Sequence, residues 1–288
     1  MATHDVHQHL WPEPFVAALR SRREPPLLDG DVLITREGRF PIRPESHDPE
    51  ARVRLLDLDG IDVAVLSLQT SLGLERLAAP EREALEETWV GGIREIAAAS
   101  DGRFTALSPS RPREGLPGVS VGSHVLLELD RHADVLAEAA GHGAFVLVHP
   151  DAGERSGAGR PDWWEWVVGY PARMQAAYLA WLAGGRSRFP QLRIVFAMLA
   201  GGGPFQLERL ARRGVDVRSA LDPNTFFEVS THGRRAIELC IETFGVSQLV
   251  NGSDTPVVDS QPTLDAVRGF GDSVAQILQI ETPAALLT

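Results

Sequence analysis

Ala144-Phe145-Val146-Leu147-Val148-His149-Pro150 places five apolar residues in succession before an imidazole and a proline. An unbroken apolar run of this length reads as a strand buried on both faces, the kind found in parallel sheets covered by helices. His149 then stands at the C-terminal end of that strand, where α/β barrels assemble their sites. Comparable runs recur at 63–68, 104–107, 193–197, 225–229 and 248–250, and residues 5–9 with a weaker run at 119–125 bring the number of strands to eight. Helical patterns fall between them at 12–22, 81–99, 132–140, 163–182, 204–213 and 233–244. Strand and helix therefore alternate, and eight strands suffice to close a (β/α)₈ TIM-like barrel of the α/β class. No strand is followed by a GxGxxG turn, which disfavours a doubly wound open sheet. The expectation is one domain over residues 1–288, with 111–122 and 151–162 as insertions over one mouth.

The N-terminal strand carries Asp5-Val6-His7-Gln8-His9. Residues two apart on a strand share a face, so His7 and His9 could present two imidazoles to the barrel interior. Asp254 follows the run Leu249-Val250-Asn251-Gly252-Ser253, just past the last strand, in a place matching that of His149. Three imidazoles and one carboxylate make a nitrogen-rich set that suits Zn²⁺ and tolerates Fe²⁺, Co²⁺ or Mn²⁺. Each residue alone has an ordinary explanation as a cap or loop side chain. Their joint placement on or after three strands points to one divalent transition metal, zinc being the expectation.

Composition narrows the chemistry further. All 28 basic residues are arginine, which excludes a Schiff-base lysine, a Walker-type lysine and a carboxylated bridging lysine. A single cysteine, Cys240, permits neither an internal disulfide nor a thiolate cage, and its helical context reads as a buried small hydrophobe. With 39 acidic residues the net charge is −11, so neither nucleic acid nor an anionic membrane is an expected partner. The first residues form no signal-like segment and no stretch is long enough to span a bilayer. The expected setting is the cytoplasm, and the expected partners are a small-molecule substrate and a second copy in a homodimer.

Several motifs carry a resemblance. Asp5-Val6-His7-Gln8-His9-Leu10-Trp11-Pro12, Leu56-Asp57-Leu58-Asp59-Gly60-Ile61-Asp62, the Phe145–Pro150 run, residues 188–197 followed by 201–205, and 249–256 occur in order along the chain. Together they resemble the amidohydrolase-related family that contains aminocarboxymuconate-semialdehyde decarboxylase, γ-resorcylate decarboxylase and several lactone hydrolases. The resemblance implies a distorted (β/α)₈ barrel of the metal-dependent hydrolase type, with His7, His9, His149 and Asp254 in the places of the metal ligands. One position departs from it. Where the family reads Ala-His-Leu-Gly-Gly after the sixth strand, this chain reads Ala197-Met198-Leu199-Ala200-Gly201. A thioether moves no proton at neutral pH and is a poor ligand for a hard site.

The remaining acid–base candidates are Asp254, whose second oxygen could take a proton, and His232 beyond the seventh strand. The leading expectation is a metal-dependent hydrolase of a small cyclic or carboxylated substrate that acts through metal-activated water. A non-oxidative decarboxylase of the same family and a degenerate barrel that only binds metal or ligand are the alternatives. Gly201 to Gly203 before a helix read either as an anion cradle or as a tight turn. The aromatics Trp163, Trp164, Trp166, Tyr170 and Trp181 read as pocket cap, interface or core, and Arg52, Arg54, Arg155 and Arg160 as carboxylate clamps or surface charge. Apolar residues at 274–280 read as a last helix, after which family members continue further than this chain.

Overall fold

The computed structural model describes residues 1–153, 159–161 and 163–287. Its parallel strands are β1 (His4–Gln8), β2 (Val63–Leu66), β3 (Phe104–Ala106, continued by Ser108–Pro109), β4 (Gly118–Gly122), β5 (Phe145–His149), β6 (Ile194–Phe196), β7 (Thr225–Glu228) and β8 (Leu249–Val250). The first half of β3 closes a three-stranded sheet with β1 and β2, and its second half opens a six-stranded sheet running in order to β8. Leu107 spans the break, its amide donating to the Leu66 carbonyl at 2.8 Å. At the other seam Val6 N–H donates to Asn251 O at 3.0 Å and Asp254 N–H to His7 O at 2.8 Å, while Gln8 bridges Thr255. Both seams join, and the eight strands close a distorted barrel.

The helices form where the apolar pattern places them. Glu13–Ser21, Ala79–Ala99, Ala133–Gly141, Tyr170–Ala180, Pro204–Ala211 and Arg234–Phe244 fall within, or overlap, the expected stretches. Strand alternation sets the outer packing. Phe196 on β6 and Phe227 on β7 point outward, where Tyr178 meets both edge-on at 5.3 and 5.5 Å and Phe244 stacks on Phe227 at 4.1 Å. Their strand neighbours Ala197 and Glu228 consequently face the interior.

Some expectations need correction. Residues 111–117 do not cover the mouth; they return the chain along the outside from β3 to β4, with Arg111 bonded to Asp134 and Glu138 and Arg113 to Glu87. This crossover lacks a helix, and 118–122 is the strand itself. Of the other expected insertion, 154–158 and 162 lie outside the described residues, Arg155 among them. The weak strand stops at Gly122 because a short helix, His124–Leu127, begins there. A three-stranded antiparallel insertion, built from Leu27–Asp29, Val32–Ile34 and Arg39–Pro41, was not expected. Nor was the helix Pro49–Asp59, capped by the Asp48 side chain on Glu50 N–H and ended by Gly60 in the left-handed region.

That helix carries Arg52, which is no loop clamp for substrate. It is buried, and donates to His9 O at 2.7 Å, to the Gln8 side chain and to Thr255 O at 3.4 Å. It thereby staples the seam between β1 and the segment after β8. Arg54 is exposed and Arg160 lies over the Trp164 ring at 5.0 Å. The aromatic stripe also divides: Trp181 is buried in the core, Tyr170 donates to Glu37 at 2.6 Å, and Trp163 and Trp166 are exposed. Cys240 is buried as expected. The last helical segments run over Asp272–Gln276, Ile277–Glu281 and Thr282–Leu287. Replacing Arg52 with Leu strands buried acceptors, so it is expected to cost about 2–4 kcal/mol of stability in urea unfolding; an unchanged midpoint would deny the staple.

Candidate metal centre

His7, His9, His149 and Asp254 converge at the C-terminal end of the barrel, with donor atoms within 4.8 Å of one another. The three imidazole centroids stand 5.0, 5.0 and 5.4 Å apart, with their planes near perpendicular. Each ring is held by its outer nitrogen. His9 Nδ1–H donates to Ser67 O at 2.8 Å, His7 Nδ1 pairs with the Glu228 carboxylate at 3.1 Å, and His149 Nδ1 meets Thr70 Oγ1 at 2.8 Å. With Nδ1 protonated, a neutral ring leaves Nε2 as a bare acceptor.

Those bare nitrogens face a carboxylate. His9 Nε2 lies 3.0 Å and His7 Nε2 3.6 Å from the same Asp254 oxygen, and buried His7 Nε2 has no hydrogen-bond partner. Acceptors turned toward one another without water repel unless a proton or a cation sits between them. The two separations also match the ~3.4 Å edge of a tetrahedron with arms of about 2.1 Å. By donor chemistry and by spacing, the four residues fit a divalent transition metal.

Local sequence explains the placement. His7 and His9 share the inward face of β1, together with Asp5, which accepts from His7 N–H and Ser253 N–H at 3.1 Å each and from Gln8 Nε2 at 2.8 Å. Burial pushes the Asp5 carboxyl up to about 6, against those hydrogen bonds. Asp254 adopts φ 62°, a turn that brings its carboxylate back over the strand ends. Burial would raise its pKa, but the His9 hydrogen bond and the neighbouring imidazoles hold it below the ordinary value. Burial and the positive potential of His7 and His9 push His149 down to about 3. Burial alone would lower His7 too, yet the charge and hydrogen bond of Glu228, with Asp254 and Asp5, raise it to about 9.

Glu228 is the functional residue that the sequence reading missed. It is fully buried, and accepts from His7 and, through the same oxygen, from Met198 N–H at 3.2 Å and Ser230 Oγ at 2.8 Å. A lone carboxylate within the otherwise apolar run Thr225-Phe226-Phe227-Glu228-Val229 was the available signal, since a buried charge needs partners. Met198 contributes a backbone amide to this network and packs its side chain against the core. It opens a run of positive-φ residues, 198–202, in which a Cβ on Gly201 would overlap the Pro171 carbonyl. Gly203 N–H bonds to Ala200 O at 3.1 Å, so the glycine stretch is a tight turn. His232 stands outside the four-residue group, its Nδ1–H on Ser230 O at 2.9 Å.

No family model matches the chain. A 2-amino-3-carboxymuconate-6-semialdehyde decarboxylase of Dictyostelium discoideum is 26% identical over 244 residues, which cover 73% of this chain and 67% of the relative. The 5-carboxyvanillate decarboxylase of Sphingomonas paucimobilis superposes with TM-score 0.78 at 20% identity, covering 99% of this chain and 98% of that one. A third, a dihydroxybenzoic acid decarboxylase of Polaromonas sp. JS666 with bound manganese and the inhibitor 2-nitroresorcinol, gives TM-score 0.75 at 14% identity over 99% of this chain and 96% of that one. The (β/α)₈ barrel read from the sequence is thus borne out as a fold. Among the described residues no helix is long and apolar enough to cross a membrane.

The His7–Glu228 pair has a pH signature. In protein stripped by a chelator, a raised folded pKa stabilises fully below about 6.5. That contribution should fade as pH rises through about 9. Urea unfolding between pH 6 and 10 is expected to show the loss in wild type and a flatter profile in Glu228→Gln; parallel profiles would remove Glu228 as its source.

Proposed function

We propose that the protein is a non-oxidative carboxy-lyase that removes CO₂ from a small carboxylated aromatic or similar conjugated acid. The observation that carries this reading is the pairing of the three-imidazole, one-carboxylate cluster with a thioether at position 198. Hydrolysis needs a group that takes a proton from water and another delivery to the leaving group. Decarboxylation needs a single proton, supplied to the carbon that CO₂ leaves. The decarboxylases among the relatives favour it over the hydrolase first expected.

His7, His9, His149 and Asp254 would hold the ion, with manganese or zinc both compatible with the donor set. When bound, a divalent cation supplies positive charge that anchors an oxyanionic substrate and stabilises charge left on it. The chain's own residues do the rest. Glu228 keeps His7 oriented through Nδ1, and Ser67 O and Thr70 do the same for His9 and His149. Burial of the imidazoles excludes water from the inner side of the site.

Metal-loaded protein is expected to release CO₂ from carboxylated phenols without opening the ring. Asp254→Asn and His149→Ala should each lower turnover by about 10³-fold, roughly 4 kcal/mol in barrier, with less metal per chain by elemental analysis. Ring-opened product from a lactone without CO₂ would return the assignment to hydrolase.

A further inference from the structure

A second ionisable pair sits beside the metal centre. In the β4–β5 register Gly122 is opposite His149, so the hydrogen that replaces its side chain points to the same interior face. The space a Cβ would fill is taken: such an atom would overlap Asp151 Oδ1 and come within 2.6 Å of His124 Nδ1. Asp151, two residues past His149, thus leans over the end of β4 into the mouth. Its Oδ1 accepts from His124 Nδ1–H at 2.6 Å, and its Oδ2 accepts from His124 N–H at 2.6 Å and Ser123 Oγ at 2.5 Å. Asp151 is almost fully buried, whereas the His124 side chain is 31% exposed. Among the described residues Nε2 of that ring has no hydrogen-bond partner. None of this was singled out by sequence, because His124 opens a four-residue helix just past a strand end.

We infer that His124, held by Asp151 over the side-chain-free position 122, is the proton donor of this site. The inference rests on the carboxy-lyase reading above. In the step, the Nε2–H bond of the imidazolium breaks and the proton forms a C–H bond at the carbon bearing the carboxylate. The bond from that carbon to the carboxylate then breaks, its electron pair returns to the ring and CO₂ departs. Nδ1–H stays on Asp151 throughout, and solvent returns the proton to Nε2. Surroundings favour the charged ring: burial opposes it, but the Asp151 hydrogen bond and the carboxylates of Asp151, Glu75 and Glu128 outweigh burial. The His132 imidazole meets the His124 ring edge-on at 5.2 Å. General acids of this kind contribute about 10²–10⁴-fold. The arrangement supplies from β4 and β5 the acid–base group that Met198 lacks on β6.

His124→Gln in the metal-loaded full chain tests this. Turnover should fall about 100-fold with KM and metal per chain unchanged, and Asp151→Asn should fall in the same way. Turnover within threefold of wild type in His124→Gln, or a larger loss in His232→Gln, overturns the assignment. A second readout does not need turnover: a nitro analogue of the aromatic acid, with nitro in place of carboxylate, should shift the His124 imidazole NMR resonances of wild type. Resonances that stay put while the analogue binds also overturn it. Absence of CO₂ release by wild type from every carboxylated phenol would instead sink the carboxy-lyase reading, and leave the NMR result to decide whether His124 meets the ligand.

Discussion

The structure turns on a set of buried acceptors aimed at one another. Three imidazoles have their outer nitrogens tied to Ser67 O, Glu228 and Thr70, so their inner nitrogens carry lone pairs toward the Asp254 carboxylate. Such a cluster is stable only with positive charge at its centre, and a protein that builds it commits its interior to holding that charge. The price is visible in the backbone, where Asp254 takes a left-handed turn to reach the imidazoles.

Holding four side chains from three strands to such tolerances requires a rigid seam. β1 carries two of the imidazoles and meets the segment after β8, which carries the carboxylate, across few main-chain bonds. Two buried charged groups, linked through the Gln8 side chain, reinforce that junction. Arg52 ties His9 O to Thr255 O, and Asp5 ties His7 N–H to Ser253 N–H. Both therefore act on the candidate metal ligands through the backbone, without joining the cluster themselves. The helix-less return from β3 to β4 and the break at Leu107 show where the barrel relaxes its regularity, on the side away from this seam.

The exchange at position 198 has a local meaning. Met198 presents its amide to Glu228 and its side chain to apolar neighbours, so the end of β6 serves the support of His7. In the reaction we propose, proton chemistry falls to other strand ends. The Asp151–His124 pair occupies the opposite flank of His149, at a glycine that gives it room.

The barrel was legible in the sequence because its strands are continuous apolar runs and its helices carry apolar faces, both local properties. His7 and His9 were legible from the period of two, and His149 and Asp254 from their places after strands. The antiparallel insertion at 27–41 was not, since its strands are only three residues long and mostly half-buried or exposed, and leave no periodic signal. Arg52 looked like a loop charge because its burial depends on backbone carbonyls from β1 and from Thr255, far along the chain. Glu228, Asp151 and His124 acquire their roles only through partners on other strands. The chain alone thus determined which residues could bind a metal and roughly where the strands lie. Tertiary structure decided which carboxylate orients which imidazole and where a proton can be held, because those depend on distances across the barrel that no sequence spacing encodes.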